Sequence, residues 1–238
     1  MNCKIGTLYV VATPIGNLED ITLRALKILK MADFVLCEDT RVTSKLLSHY
    51  EIKSSTISCH HHSDLKKINH ILDLLEHGKN LALVSDAGTP TISDPGGKLI
   101  EAIIKKFGNT TKIEPIPGPS AVIAALSIAG VPADKFIFLG FPPHKKGRQK
   151  FLGKIANSEI TTVVYESKHR IIKFLEELNL IIEQKREVNE KFNFKIIVCR
   201  ELTKMHETIY RGNINDILKK IRENKQAQKG EFVVVIAK

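Results

Sequence analysis

Leu8-Tyr9-Val10-Val11-Ala12-Thr13-Pro14-Ile15-Gly16-Asn17 is an apolar run that breaks off abruptly in proline, glycine and asparagine. An apolar run of this length bounded by turn residues reads as a short buried strand. Residues 21–32 then follow with helical periodicity, and Asn17 or Asp20 is available as the N-cap. The same alternation continues outward. Residues 34–37 form a second buried strand, closed by Glu38-Asp39-Thr40-Arg41, and residues 65–77 read as a helix stopped by Gly78. Residues 81–85 make a third strand, residues 99–106 a helix stopped by Gly108, and residues 112–116 a further strand. Strands alternating with helices predict an α/β fold with a mostly parallel N-terminal sheet, whose ligands sit at the carboxyl ends of the strands.

After Gly118-Pro119-Ser120 the rhythm changes. One apolar helix over residues 121–129 leads to strands near residues 136–141, 161–165, 196–199, 208–210 and 232–237. Residues 200–212 read as a strand pair with a connecting turn, which implies antiparallel pairing and a mixed C-terminal sheet. The expected division is an N-terminal α/β domain over residues 1–117 and a C-terminal one over residues 118–238. The basic segment 142–150, bearing Pro and Gly, is the most linker-like stretch. No internal repeat or heptad pattern is present.

Composition narrows the class. The chain has 238 residues, 43% of them apolar, enough to bury a core. The longest apolar stretch, residues 121–131, is interrupted by Ser127 and Gly130 and falls far short of the ~20 residues needed to span a bilayer. The opening residues show no signal-peptide core. A soluble, cytoplasmic protein without membrane contact is expected. The four cysteines are scattered, without a CxxC pair, as in a reducing compartment. Cys59-His60-His61-His62 lacks a second ligand cluster, so no metal is expected. The net charge of +10 favours a polyanionic partner, although lysine-rich codon drift spreads the same charge over any surface. Trp is absent, so any base-stacking platform must use Phe, Tyr, His or Arg.

Three loops place Gly, Pro and a small polar residue just after a buried strand: Thr13-Pro14-Ile15-Gly16-Asn17, Ser85-Asp86-Ala87-Gly88-Thr89-Pro90 and Pro117-Gly118-Pro119-Ser120-Ala121. Singly, each is an ordinary connection. On strand ends of one sheet they would converge on one crevice and let the backbone approach a ligand closely. The usual nucleotide signatures fail. No G-x-G-x-x-G follows the first strand, and a phosphate loop would need Gly in place of Ile92 and Ser or Thr in place of Leu99. A carboxylate at a strand end, Asp86, with flanking backbone groups suits a neutral or cationic ligand, and a helix opening at Ser120 offers N–H groups for a ligand carboxylate. S-adenosylmethionine carries an ammonium, a sulfonium and a carboxylate.

The run from Gly6 to Leu18 closely resembles the opening of the ribosomal RNA small subunit methyltransferase I family. So do Glu38-Asp39-Thr40-Arg41, Ser93-Asp94-Pro95-Gly96 after the second loop, Pro115-Ile116-Pro117-Gly118-Pro119-Ser120, Tyr165-Glu166-Ser167, His169-Arg170 and Arg200-Glu201-Leu202-Thr203-Lys204 with Glu207-Thr208. The resemblance covers essentially the whole chain in order. It implies the tetrapyrrole-methylase fold, two α/β domains with S-adenosylmethionine in the cleft between them, and usually a homodimer. It also implies 2'-O-methylation of a cytidine in the decoding centre of 16S rRNA, with or without the assembled small subunit. Cofactor contacts carried over are Pro14, Ile15, Gly16, Asp86, Ala87, Gly88, Thr89, Ser120, Ala121 and Tyr165. Lys168 stands where the family usually has proline before His-Arg, and many relatives continue past the last strand into a small extra domain.

A 2'-hydroxyl attacking a sulfonium methyl needs alignment above all. Positioning supplies roughly 7–11 kcal/mol, a general base about 3–5 kcal/mol (~10²–10⁴ in rate). Candidate bases are Glu38, Asp39 and Glu166, each with an ion pair to Arg41 or Arg170 as the plainer reading. Arg41, Lys145, Lys146, Arg148, Arg170 and Lys204, with Lys150 beside them, are expected to meet RNA phosphates, against a plain solvated surface. The competing readings are a methyltransferase for a small tetrapyrrole and a non-catalytic rRNA-binding module.

Overall fold

The computed structural model describes residues 5–59, 65–188 and 194–238. The chain divides into two compact units, Met1–Ser120 and Ala121–Lys238. The first holds strands β1 (Leu8–Val11), β2 (Phe34–Cys37), β3 (Ser55–Ser58), β4 (Leu81–Leu83) and β5 (Ile113–Ile116), and helices α1 (Leu23–Met31), α2 (Thr40–His49), α3 (Leu65–Glu76) and α4 (Gly97–Phe107). Its strands lie in the order β3-β2-β4-β1-β5, all parallel.

The apolar runs are continuous because both sheet faces are covered. Successive side chains point to opposite faces. Val35, Cys37, Ala82 and Val84 therefore join Ala25, Ile28 and Leu29 of α1 and Leu47 of α2. Leu36, Leu81 and Leu83 turn the other way, onto Ile71, Leu72 and Leu75 of α3 and Leu99 and Ile103 of α4. Pro115 is tolerated in β5 because that strand is an edge, paired only with β1.

The cap of α1 differs from expectation. Thr22, whose side chain accepts the Ala25 N–H at 3.1 Å, is the N-cap, and Asn17 instead caps a 3₁₀ turn over Leu18–Asp20. Helix α2 and strand β3 had no counterpart in the sequence reading, because α2 buries only Thr43 and Leu47 and three of the four β3 residues are polar.

The second unit holds α5 (Ala121–Ala129), β6 (Phe136–Phe138), α6 (Arg148–Ala156), β7 (Thr161–Ser167), α7 (Ile171–Val188), β8 (Lys195–Arg200), β9 (Thr208–Gly212), α8 (Ile214–Glu223) and β10 (Glu231–Ala237). The sheet order is β6-β7-β10-β8-β9, with β6 and β7 parallel and the remaining pairs antiparallel. Leu152, Ile155, Phe174, Leu178, Ile217 and Ile221 of α6, α7 and α8 cover one face of β7, β8 and β10. The basic segment is shorter as a loop than expected. Gly147, at φ +85, ends it, and Arg148 already belongs to α6. The turn at Lys168 is closed by the Arg170 N–H, which donates to the Ser167 carbonyl at 3.0 Å.

No helix among the described residues is long and apolar enough to cross a membrane.

Candidate active site

β4, β1 and β5 are neighbours and run in one direction, so their carboxyl ends share an edge. The three Gly/Pro loops leave from that edge and are bound to each other. Thr13 and Gly88 form an isolated antiparallel bridge. The Thr13 hydroxyl donates to the Ser85 carbonyl at 3.0 Å, and the Ser85 hydroxyl donates to the Gly88 carbonyl at 3.1 Å. The Thr89 hydroxyl reaches the third loop, donating to the Pro119 carbonyl at 3.3 Å.

The glycines set the approach. A Cβ on Gly118 would stand 2.9 Å from the Ala12 Cβ, and one on Gly88 would stand 3.3 Å from Ile15 Cγ2. Pro14 and Ile15 are buried beneath, while Gly16, Asp86 and Ala87 are exposed, Thr89 and Ser120 half-buried, and Ala121, also half-buried, opens α5 in the second unit. The first unit thus presents a rim of exposed backbone with one acid, Asp86. Thr13 and Ser85 organise it, and sequence reasoning gave neither a role. Their signal was there: a hydroxyl at the last position of each strand run.

The end of β2 adjoins this rim. The Asp39 N–H donates to Asp86 Oδ1 at 3.2 Å. Asp39 in turn caps α2, accepting the Arg41 N–H at 2.8 Å, and grips the Arg41 guanidinium at 2.7 and 3.0 Å. The guanidinium and then the backbone N–H of Arg41 hold the Asp39 carboxyl well below the usual carboxylate range. Such a group is a weak proton acceptor. Glu38, beside it, is half-buried. Arg41 is 87% exposed and keeps its outer face towards solvent.

In the second unit Glu166 is enclosed, with 0% of its side chain exposed. Its Oε1 accepts the Ser167 N–H at 2.8 Å and pairs with Arg170 at 3.0 Å, while Oε2 has no protein partner. Burial pushes this carboxyl up, against the Ser167 N–H and the charges of Arg170, Arg148 and His144. Arg148 is also inside, bonded to Glu177 at 2.6 Å and to the Pro143 carbonyl at 3.1 Å. Arg170 donates to the Pro142 carbonyl at 3.0 Å. Lys145 and Lys146 are exposed between these anchors. Tyr165 stands in an aromatic group with Phe138 and Phe141, centroids 4.8 and 5.4 Å away. Lys204 is half-buried between Glu201 at 3.0 Å and Glu231 at 2.8 Å. Burial alone would lower its pKa, but the two carboxylates outweigh it and raise the ammonium.

His60, His61 and His62 lie outside the described residues. Among the described residues no group of three or more His, Cys, Asp or Glu could hold a metal.

The family model for tetrapyrrole (corrin/porphyrin) methylases matches residues 7–218. A ribosomal RNA small subunit methyltransferase I from Hydrogenobaculum sp. (strain Y04AAS1) is 44% identical over 97% of this chain and 95% of that protein.

The chain belongs to this family of tetrapyrrole-fold methyltransferases.

A second ribosomal RNA small subunit methyltransferase I, from Escherichia coli O157:H7, is 41% identical over 97% of this chain and 77% of its own length. Among solved structures, a cobalt precorrin-4 methyltransferase of cobalamin biosynthesis superposes with a TM-score of 0.65 at 20% identity, over 97% of this chain and 94% of that one. At that identity the likeness concerns the fold alone. Within the family's architecture the tied loops occupy the carboxyl edge of the first sheet, where an α/β fold places its ligand.

Proposed function

We propose that the chain methylates small-subunit ribosomal RNA from S-adenosylmethionine, at the 2'-hydroxyl of a cytidine. The observation that carries the reading is the hydrogen-bonded convergence of the Thr13, Gly88 and Pro119 loops on one sheet edge, in a chain over 40% identical to named rRNA methyltransferases. The rim suits the donor. Backbone at Gly16 and Ala87 can lie flat against it, Gly88 and Gly118 leave room that a Cβ would take, and Asp86 supplies a carboxylate for its cationic groups. Pro14, Ile15, Thr89, Ser120 and Ala121 belong to the same proposal, and Tyr165 enters it through the family resemblance alone. When bound, S-adenosylmethionine supplies an already activated methyl group, so the protein's task is to align and to exclude water. Alignment of this kind contributes roughly 7–11 kcal/mol, more than the ~10²–10⁴ in rate of a general base.

Of the proposed bases Glu38, Asp39 and Glu166, the geometry favours Glu38. Asp39 is committed to Arg41, and Glu166 is enclosed. Phosphate contact is proposed for Lys145, Lys146 and Arg41 on their exposure, and for Lys204 on the resemblance. Arg148 and Arg170 point inward, so for them a positioning role fits better than phosphate contact. A cytoplasmic homodimer belongs to the same reading, which light scattering on the purified protein tests.

Calorimetry with S-adenosylmethionine should give binding by the native chain and its loss in Asp86→Ala. Asp86→Asn keeps an acceptor for the Asp39 N–H, so weak binding there assigns the role to the charge. A nucleoside digest of 16S rRNA from a deletion strain should lack one 2'-O-methylcytidine. No binding of the donor would favour a non-catalytic rRNA-binding module, and transfer to a porphyrin but not to rRNA would favour the tetrapyrrole reading.

A further inference from the structure

The loop between β6 and α6 is built differently from a solvated basic run. Its two consecutive prolines each give a carbonyl to a guanidinium held from inside, Pro142 to Arg170 at 3.0 Å and Pro143 to Arg148 at 3.1 Å. Each guanidinium is itself fixed by an acid, Glu166 at 3.0 Å for Arg170 and Glu177 at 2.6 Å for Arg148. Arg148 is 7% exposed at its side chain, so its charge serves the loop and not the solvent. Out of this fixed base stand an aromatic ring, an imidazole and two ammonium groups. Phe141 is 51% exposed, and its ring leans on Tyr165 at 5.4 Å, which packs edge-on against Phe138. His144, Lys145 and Lys146 are exposed on the same loop.

Phe141 is one of several exposed apolar side chains, and what sets it apart is the braced backbone beneath it and the ammonium groups beside it. An aromatic face beside cations on a rigid backbone is how proteins hold an unpaired base and the phosphates flanking it. Nothing acidic stands among residues 141–150 to repel a polyanion. We infer that Phe141 is a stacking site for an unpaired nucleobase of the RNA substrate, with Lys145 and Lys146 on its phosphates and Arg148 and Arg170 as positioning residues that hold the platform in shape. The ammonium groups give attraction without sequence preference, and the ring selects single-stranded over paired RNA. The site rests on the rRNA reading above and deepens it.

The absence of Trp from the chain makes the test direct. Phe141→Trp creates a protein with one tryptophan, and stacking on a base quenches its fluorescence. Titration with small-subunit rRNA, protein-free and assembled in subunits, should quench that signal saturably. Phe141→Ala should raise KM for the rRNA roughly 5- to 150-fold, the range given by removing one stacking ring. Its kcat and its KM for S-adenosylmethionine should hold. Arg170→Lys should raise KM for rRNA in the native background and much less beside Phe141→Ala, since both act through one platform. An unquenched indole in Phe141→Trp together with unchanged rRNA KM in Phe141→Ala overturns the site. A rise in KM for S-adenosylmethionine instead assigns the ring to the donor pocket and also overturns it. If the native chain transfers no methyl group to rRNA, the rRNA reading itself fails. That outcome is distinct from a native chain that methylates beside an indifferent Phe141→Ala.

Discussion

Thr13 and Gly88 exchange both of their backbone hydrogen bonds, N–H to carbonyl at 2.9 Å one way and 3.1 Å the other, across 75 residues of sequence. This reciprocal pair makes one rim out of two loops. Gly88 can take part because its φ is +83, a conformation that costs an L-residue about 1–2 kcal/mol. Gly88→Ala should lower Tm by a few degrees and weaken S-adenosylmethionine binding at least about tenfold, or ~1.4 kcal/mol. Differential scanning fluorimetry and calorimetry on one preparation measure both. A normal affinity in a destabilised protein would separate the bridge from the donor site.

Gly118 stands on Ala12. The added methyl of Gly118→Ala would lie 2.9 Å from the Ala12 Cβ, too close without movement. Overpacking of this kind typically costs about 1–3 kcal/mol. Removing the opposing methyl should relieve it, so the double variant Ala12→Gly with Gly118→Ala should be more stable than the two single effects predict. Additive losses in denaturant titrations would place the strain elsewhere.

The Glu166 carboxyl is raised by burial. An acid whose folded pKa exceeds its unfolded one favours the native state in its protonated form. That contribution is complete below the ordinary carboxylate pKa of about 4.3 and fades as pH rises through the folded value. Glu166→Gln cannot ionise. Its Tm relative to the native chain should therefore climb as pH rises above about 4.3, the ordinary carboxylate value. A falling difference would mean that the Arg170 ion pair outweighs burial.

Arg200 is buried, and its guanidinium donates to the carbonyls of Lys229 at 2.6 Å, His206 at 2.7 Å and Gln226 at 2.8 Å. It braces a turn in which Glu201 and Thr203 hold positive φ of 51° and 65°. Arg200→Met removes these charge-assisted bonds from carbonyls of surface residues and should destabilise the chain by about 1.5–3 kcal/mol. Arg200→Lys should recover only part of the loss, because one ammonium cannot span a planar fork. Equal stability of Lys and Arg would show that the fork geometry is immaterial.

The strands that carry the rim were legible because burial on both faces leaves a signature needing no partner information, a run such as Leu8-Tyr9-Val10-Val11. Helix α2 was not, since a polar helix capped by Asp39 and burying only Thr43 and Leu47 looks in sequence like a loop. The charges were the least legible. Arg148 sits in a run of lysines that reads as solvated surface, and only the fold brings Glu177, 29 residues away, against it.

By itself the sequence determined the strand–helix alternation of the first unit apart from α2 and β3, the strands of the second unit but not its helices α6, α7 and α8, the positions of the three glycine-bearing turns and the family to which they belong. These are local facts of periodicity, backbone freedom and residue order. Tertiary structure decided which turns touch, which carboxylates are spent on arginines and which cations face outward. Those depend on contacts between residues far apart in the chain, where a charge is neutralised or left free by neighbours that no local pattern names.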